Sequence, residues 1–223
     1  MGYWTYYLAV FGLSYALRYP WLAPAALLVW LARRWLPDPY LFFRHAGPVH
    51  RLKREIRANS SNVTARRDLA KIWLTKRRPR PAIPLLEQAR ALDPESSELL
   101  LLLGTALLEA GRPDQALPLL VEAATRNERQ QYGRAYLVAG RALDKLRRFE
   151  DAEDALVRYA TIHTSSVEVR VRLASVRREL KDRAGAKAAM HEALETFASV
   201  PRFHRRAELM WYVRARLMTV GLG

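Results

Sequence analysis

Between residues 63 and 200, small and large apolar residues return in a fixed order. Aligning a small residue at the twentieth place of each unit brings Ala82, Ala116, Ala152 and Ala186 together, at steps of 34, 36 and 34. Twelve places earlier stand Ala70, Gly104, Gly140 and Ala174, preceded by Leu69, Leu103 and Leu173, with Ala139 the exception. Four places after the twentieth come Leu86, Leu120, Leu156 and Met190, and three beyond those Ala89, Ala123, Tyr159 and Ala193. Within a unit these positions have helical spacing, so each unit reads as two helices, A and B, that approach closely where both carry a small side chain. A phrase also repeats outright: Arg78-Pro79-Arg80-Pro81-Ala82-Ile83-Pro84-Leu85-Leu86 returns as Arg112-Pro113-Asp114-Gln115-Ala116-Leu117-Pro118-Leu119-Leu120. Pro84 and Pro118 fall within about one turn of the expected start of helix B, where a missing amide costs little. Asp93-Pro94 ends the first unit, because proline restrains the residue before it and cannot continue the hydrogen-bond ladder.

Stacked hairpins of this length build an all-α solenoid. The expected units are residues 63–96, 97–130, 133–166 and 167–200. Residues 201–223 hold a closing helix, near 202–219, with Leu209, Tyr212, Val213 and Leu217 on one face to cover the last apolar surface. The pattern resembles the tetratricopeptide repeat, whose helices A and B carry small residues at places 8 and 20 and often proline at 32. The resemblance covers about residues 63 to 200. Thr164 stands where unit three would close on proline, Arg177 takes a usually aromatic place in unit four, and two extra residues fall within Asn127 to Tyr132. In that family helix A lines a concave groove that holds a partner segment. Carried over by register, the resemblance implies a groove made of Arg67, Lys71 and Leu74 in unit one, Leu101, Thr105 and Leu108 in unit two, and Arg134, Leu137 and Arg141 in unit three. Such a groove is basic at Arg67, Lys71, Arg134 and Arg141 and apolar between them, which suits an acidic or amphipathic protein segment. The asparagines of the carboxylate-clamp members are missing, so their ligand is not carried over.

The first 35 residues follow another pattern. Tyr3 to Leu17 and Tyr19 to Ala32 carry no charge, Arg18 alone interrupts them, and Trp4, Trp21, Trp30 and Trp35 concentrate here. About 20 apolar residues cross a bilayer and aromatic rings favour its interfaces, so one tilted transmembrane helix between about Trp4 and Trp30 is expected. Arg18 would cost a few kcal/mol near mid-bilayer unless it snorkels or finds a partner. A re-entrant hairpin turning at Arg18-Tyr19-Pro20 is the alternative. Arg33, Arg34, Arg44, Arg51, Lys53, Arg54 and Arg57 follow the apolar segment and no charged side chain precedes it. The positive-inside rule then leaves the repeats on the cytoplasmic side of a bacterial-type inner membrane. The expected lipid contacts are Trp4, Arg18, Trp30, Arg33, Arg34 and Trp35, joined by Arg51, Lys53, Arg54 and Arg57. Residues 36–62 form a basic linker: Pro37-Asp38-Pro39 breaks any continuous helix, and His45 to Arg57 reads as a short basic helix with Val49, Leu52 and Ile56 along one side. Asn59 and Asn62 each open a glycosylation sequon, but read as cap residues at the entrance to the repeats.

Charge narrows the partner. With 37 Lys and Arg against 22 Asp and Glu, the chain carries +15, which attracts anionic lipid, acidic protein or nucleic acid. The repeats hold few aromatic residues beyond those assigned to packing, which argues against a base-stacking nucleic-acid module. The five histidines are scattered, cysteine is absent, and no Gly-rich phosphate loop or nucleophile elbow occurs. No catalysis, metal or cofactor is therefore expected. The sequence points to a membrane-anchored scaffold or adaptor that binds protein segments. An accessory subunit of a large membrane complex is the alternative, and self-association stays open.

Overall fold

The computed structural model describes residues 46–129, 131–201 and 204–220. By packing, the chain divides into Met1–Arg51 and Leu52–Gly223, and the repeats lie wholly in the second unit. The segment expected to meet a membrane, with Trp4, Arg18, Trp30, Arg33, Arg34 and Trp35, lies outside the described residues. Among the described residues no helix is long and apolar enough to cross a bilayer.

The described residues form ten α-helices and no strand. The first, α1 (Ala46–Ala58), buries Val49 and Leu52 and exposes Arg51, Lys53, Arg54 and Arg57. Four hairpins follow: α2 (Val63–Thr75) with α3 (Ala82–Leu92), α4 (Ser97–Glu109) with α5 (Pro113–Arg126), α6 (Arg134–Lys145) with α7 (Phe149–Ile162), and α8 (Val167–Glu179) with α9 (Arg183–Ser199). Helix α10 (Arg205–Val220) packs on α8 and α9. Contacts run from each helix to its hairpin mate and to the next hairpin, the nearest-neighbour order of a solenoid.

Short polar side chains start most of the helices A. Asn62 accepts from the Ala65 N–H at 2.9 Å, while Ser96 accepts from Leu99 and Ser166 from Val169, each at 3.4 Å. Helix α6 lacks such a cap. It starts from Gly133 (φ 74°), and the two residues that lengthen this turn, Gln131 and Tyr132, are left-handed as well, with φ of 47° and 59°.

Helix A ends in the same way in every unit. The N–H groups of Arg78, Arg112, Arg148 and Asp182 donate back to the carbonyls of Trp73, Leu107, Leu143 and Arg177, at 2.9 to 3.0 Å. The residue before each is left-handed: Arg77 (φ 54°), Gly111 (φ 82°), Arg147 (φ 59°) and Lys181 (φ 64°). This is the Schellman closure, which favours glycine, and only unit two supplies one. A side chain in that conformation costs about 1 kcal/mol, so Arg77→Gly is expected to raise stability by about that much in a urea titration. A loss instead would show that the arginine side chain supports the fold more than its backbone strains it.

The core follows the register of small residues. A Cβ built on Gly104 would fall 2.7 Å from Leu120, and one on Gly140 2.8 Å from Leu156, so the eighth place of a unit meets the twenty-fourth. Ala70 and Ala174, at the same place in the outer units, are fully buried. One apolar cluster is drawn mainly from α3 to α5 and another mainly from α7 to α10; α6 gives Val138 and Ala142 to the first and Leu137 and Leu143 to the second.

Two expectations are corrected. Helix α5 starts at Pro113, so Pro118 lies inside it and not in its first turn. Pro118 is exposed, so the carbonyl that it leaves without a donor faces water. Helix α10 is turned away from the orientation expected: Ala215 is buried and Trp211 and Met218 pack on the core, whereas Leu209 and Val213 are exposed and Leu217 is 70 % accessible. Of the expected face only Tyr212 is engaged, stacked on Phe197 with ring centroids 4.3 Å apart. A small residue at the contact, as in the other helices A, and the large apolar body of Trp211 decide the orientation.

Candidate partner-binding groove

Helices α2, α4 and α6 touch in series, and α8 touches α10. The two cations of unit one are already engaged there. Arg67 Nη1 and Lys71 Nζ both reach the carboxylate of Glu98 on α4, at 3.2 and 2.6 Å, and Arg67 Nε donates to Asp68 at 3.1 Å. Partial burial opposes the charge on Glu98. The hydrogen bond and charge of Lys71, with the charge of Arg67, outweigh that and hold its carboxyl below the ordinary range. Because the folded pKa is lowered, the triad stabilises the fold above the ordinary carboxylate range and loses that contribution as pH falls through the folded value. Glu98→Gln is expected to flatten the acid limb of the stability–pH profile and to cost no more than about 1 kcal/mol at neutral pH, since the ions are partly exposed. An acid limb unchanged by the substitution would overturn this account.

The apolar middle of the groove is not a surface. Leu101, Leu108 and Leu137 lie in the core, Leu74 is half-buried against it, and Thr105 is buried with its hydroxyl donating to the Leu101 carbonyl at 2.7 Å. The reason is that these places also face the neighbouring helices A, and burying a leucine there contributes about 2 kcal/mol. What the register implied as partner anchors the structure uses to join the hairpins.

Unit three is different. Arg134 is exposed and Arg141 half-buried, and neither makes a hydrogen bond or ion pair among the described residues. Burial first, then the charge of Arg172 with that of Arg134 behind it, pushes the Arg141 pKa down; Glu168 and Glu109 pull it the other way. Arg172 is committed to Glu168, with Nε and Nη2 at 2.8 and 2.7 Å from the same oxygen, and its guanidinium lies 4.8 Å from the Trp211 ring centre. Arg214 of α10 sits 5.7 Å from that ring. Arg141, Arg172 and Arg214, with Asp144 and Ser175, border a cavity of about 30 Å³.

The cations of this face without a hydrogen bond or ion pair among the described residues are thus Arg134 and Arg141 of α6 and Arg214 of α10, with the Glu168-bound Arg172 of α8 between them, whereas Arg67 and Lys71 of α2 are neutralised within the array. Sequence reasoning missed Arg172, Trp211 and Arg214 because the transferred register stopped at unit three. One signal was present: Ala215 repeats the small residue of helix A in the closing helix, and counting from it would have extended the groove. Among the described residues no group of three or more His, Cys, Asp or Glu is placed to hold a metal ion.

The sequence pattern of the tetratricopeptide repeat family matches residues 74–135. The fold is similar to that of MamA, residues 41 to the end, from Desulfovibrio magneticus RS-1, with a TM-score of 0.64 at 18% identity over 70% of this chain and 89% of that one. A second MamA structure gives 0.61 at 23% identity, covering 66% and 80%. YrrB, described as a TPR protein with an unusual peptide-binding site, gives 0.58 at 21% identity, covering 71% and 85%. No curated protein matches the sequence. These likenesses show a helical solenoid of tetratricopeptide type.

Proposed function

We propose that this chain is a scaffold that holds an acidic protein segment on the concave face between α6 and α10, and that residues 1–35 tether it at the cytoplasmic face of a bacterial-type inner membrane. Arg141 carries the first part. A half-buried guanidinium crowded by Arg134 and Arg172, which neither Glu168 nor Glu109 reaches with a hydrogen bond or ion pair, is unfavourable in the free protein. A carboxylate relieves it, and a guanidinium grips one through paired hydrogen bonds. Pre-ordered helices bind such a segment with little loss of freedom of their own. The peptide-binding site described for YrrB supports a protein ligand on this type of array. The tether rests on the uncharged, Trp-rich run of residues 1–35 and on the exposed Arg51, Lys53, Arg54 and Arg57 of α1, each worth about 1 kcal/mol near anionic headgroups. The mechanism is passive: tethering raises the local concentration of whatever the groove holds.

The test compares proteins captured by the full chain in mild detergent with those captured by an Arg134→Glu, Arg141→Glu variant and by a chain lacking residues 1–35, read by mass spectrometry. Partners lost with the charge reversals and kept after the deletion support the groove. Partners indifferent to the reversals and lost with the deletion would move the function into the first 35 residues. The exposed Leu209, Met210, Val213 and Leu217 of α10 favour a second reading, a subunit seated in a larger assembly. A stoichiometric complex that survives the groove reversals but dissociates with Val213→Asp and Leu217→Asp would establish it.

A further inference from the structure

The four Schellman closures lie along one rim of the array, because every turn from helix A to helix B falls on the same side of a stacked hairpin. Their left-handed places hold Arg77, Gly111, Arg147 and Lys181. Three of the four therefore carry a long cation where glycine is the unstrained choice. Arg78, Arg80, Arg112 and Arg183 stand beside them, all exposed, and none of these side chains makes a hydrogen bond or ion pair among the described residues. The opposite rim, where helix B passes to the next helix A, carries Asp93, Glu95 and Glu128 against the single Arg129, then Thr164 and Ser165. One rim is basic and the other neutral to acidic.

The first two turns also enclose open clefts. One of about 490 Å³ is lined by Arg77, Arg78 and Arg80 with Pro79 and Pro81 and by one carboxylate, Glu109, and the next, of about 570 Å³, by Arg80 and Arg112 with Ile83 and Pro84. Arg80 borders both. The second cleft joins guanidinium groups to apolar walls, the combination that receives a phosphate with the carbon chain attached to it, and in the first three guanidinium groups outnumber the single carboxylate of Glu109.

We propose that this rim lies against an anionic phospholipid surface. The cations are set out in a row along successive turns and do not converge on one point, so they match a plane of phosphates better than a single small anion. Nucleic acid is the other phosphate-bearing candidate, and the rim lacks what would hold a single strand: among the described residues the one aromatic residue in the set of exposed large apolar side chains, Tyr132, stands on the opposite rim. The inference draws on the bilayer reading of residues 1–35 to bring a membrane near, and not on the groove.

The chain contains no cysteine, so one introduced thiol reports on one place. The full chain carries a fluorophore at Gln115→Cys, beside the basic rim, or at Ser165→Cys on the opposite rim. Vesicles of phosphatidylcholine, alone or mixed with phosphatidylglycerol, carry a headgroup-linked quencher. Quenching is expected at Gln115→Cys only with phosphatidylglycerol, and is abolished near 1 M salt, where the Debye length is about 3 Å. Ser165→Cys stays unquenched. Arg77→Gly, Arg147→Gly and Lys181→Gly together are expected to weaken the rim contact about a hundredfold, at roughly fivefold per basic residue. The same variant melts no lower than its parent, because glycine relieves the left-handed backbone, and this separates a lost contact from a lost fold.

Equal quenching on both rims, or none in anionic vesicles to which the chain is attached, overturns the rim assignment and leaves the tether standing. Attachment to anionic vesicles alone, with Gln115→Cys quenched, keeps the rim and removes the tether; attachment to neither vesicle overturns both. A response of the Gln115→Cys label to single-stranded RNA and not to anionic vesicles would make the rim a nucleic-acid surface and overturn the proposal.

Discussion

Gly140→Val is expected to remove about 3 kcal/mol of stability, while Gly140→Ala stays within about 1 kcal/mol of the parent. A Cβ at this position falls 2.8 Å from Leu156 Cγ and 2.9 Å from its Cδ2. Alanine gains about 1 kcal/mol of helix propensity and asks only the end of a leucine to shift. Valine adds two methyl groups to a contact that already has no room, on a helix where its χ1 is also restricted. Leu156 is 1 % exposed, so Leu156→Ala alone is expected to cost 2–5 kcal/mol by opening a cavity. The double variant is the decisive measurement. Valine enters the space that leucine leaves, so the combined loss in urea titrations should fall short of the sum by 1 kcal/mol or more. Strict additivity would mean that the two residues do not share the contact.

Arg141→Glu is expected to weaken capture of an acidic partner by at least about a hundredfold, the effect of reversing one side of a partly desolvated ion pair. Arg141→Met is expected to lose a similar part of the binding while raising the melting temperature, since it takes out a cation that burial and its arginine neighbours already disfavour. Arg141→Lys keeps the charge without the planar fork and should bind between these limits. Greater stability joined to weaker binding is the signature of a residue held for function. A fall in melting temperature with Arg141→Met would instead make the side chain a packing element.

The register was legible because it pairs sizes at fixed distances in the chain. The places of Gly104, Gly140, Leu120 and Leu156 could be read from the chain, since small and large residues recur at the same separations, but the close approach was expected between small residues, and it is the structure that sets each glycine against a leucine. What sequence could not supply is which side-chain ends meet across helices. Arg67 and Lys71 were visible as cations in helix A of unit one, but their shared engagement by Glu98 depends on how α4 lies against α2. Leu101 and Leu137 were assigned to the groove by place number alone, and number does not say whether the neighbouring helix covers the residue. The closing helix failed for another reason. Leu209, Val213 and Leu217 form a regular stripe, but a stripe states only that one face is apolar; the contact went to Ala215 and Trp211, which make a closer and larger fit.

Helix α6 belongs to both cores, with Val138 and Ala142 on one side and Leu137 and Leu143 on the other. The longest turn in the array, from Asn127 to Gly133, stands immediately before it and looks from the chain alone like the natural place to divide the protein. The packing says otherwise. A pull that parts the hairpins at that turn must strip one side of α6, and whichever half keeps the helix is left with a raw apolar flank. Tension is therefore expected to be borne best at the middle of the array, where the turn is longest, and to part the ends first.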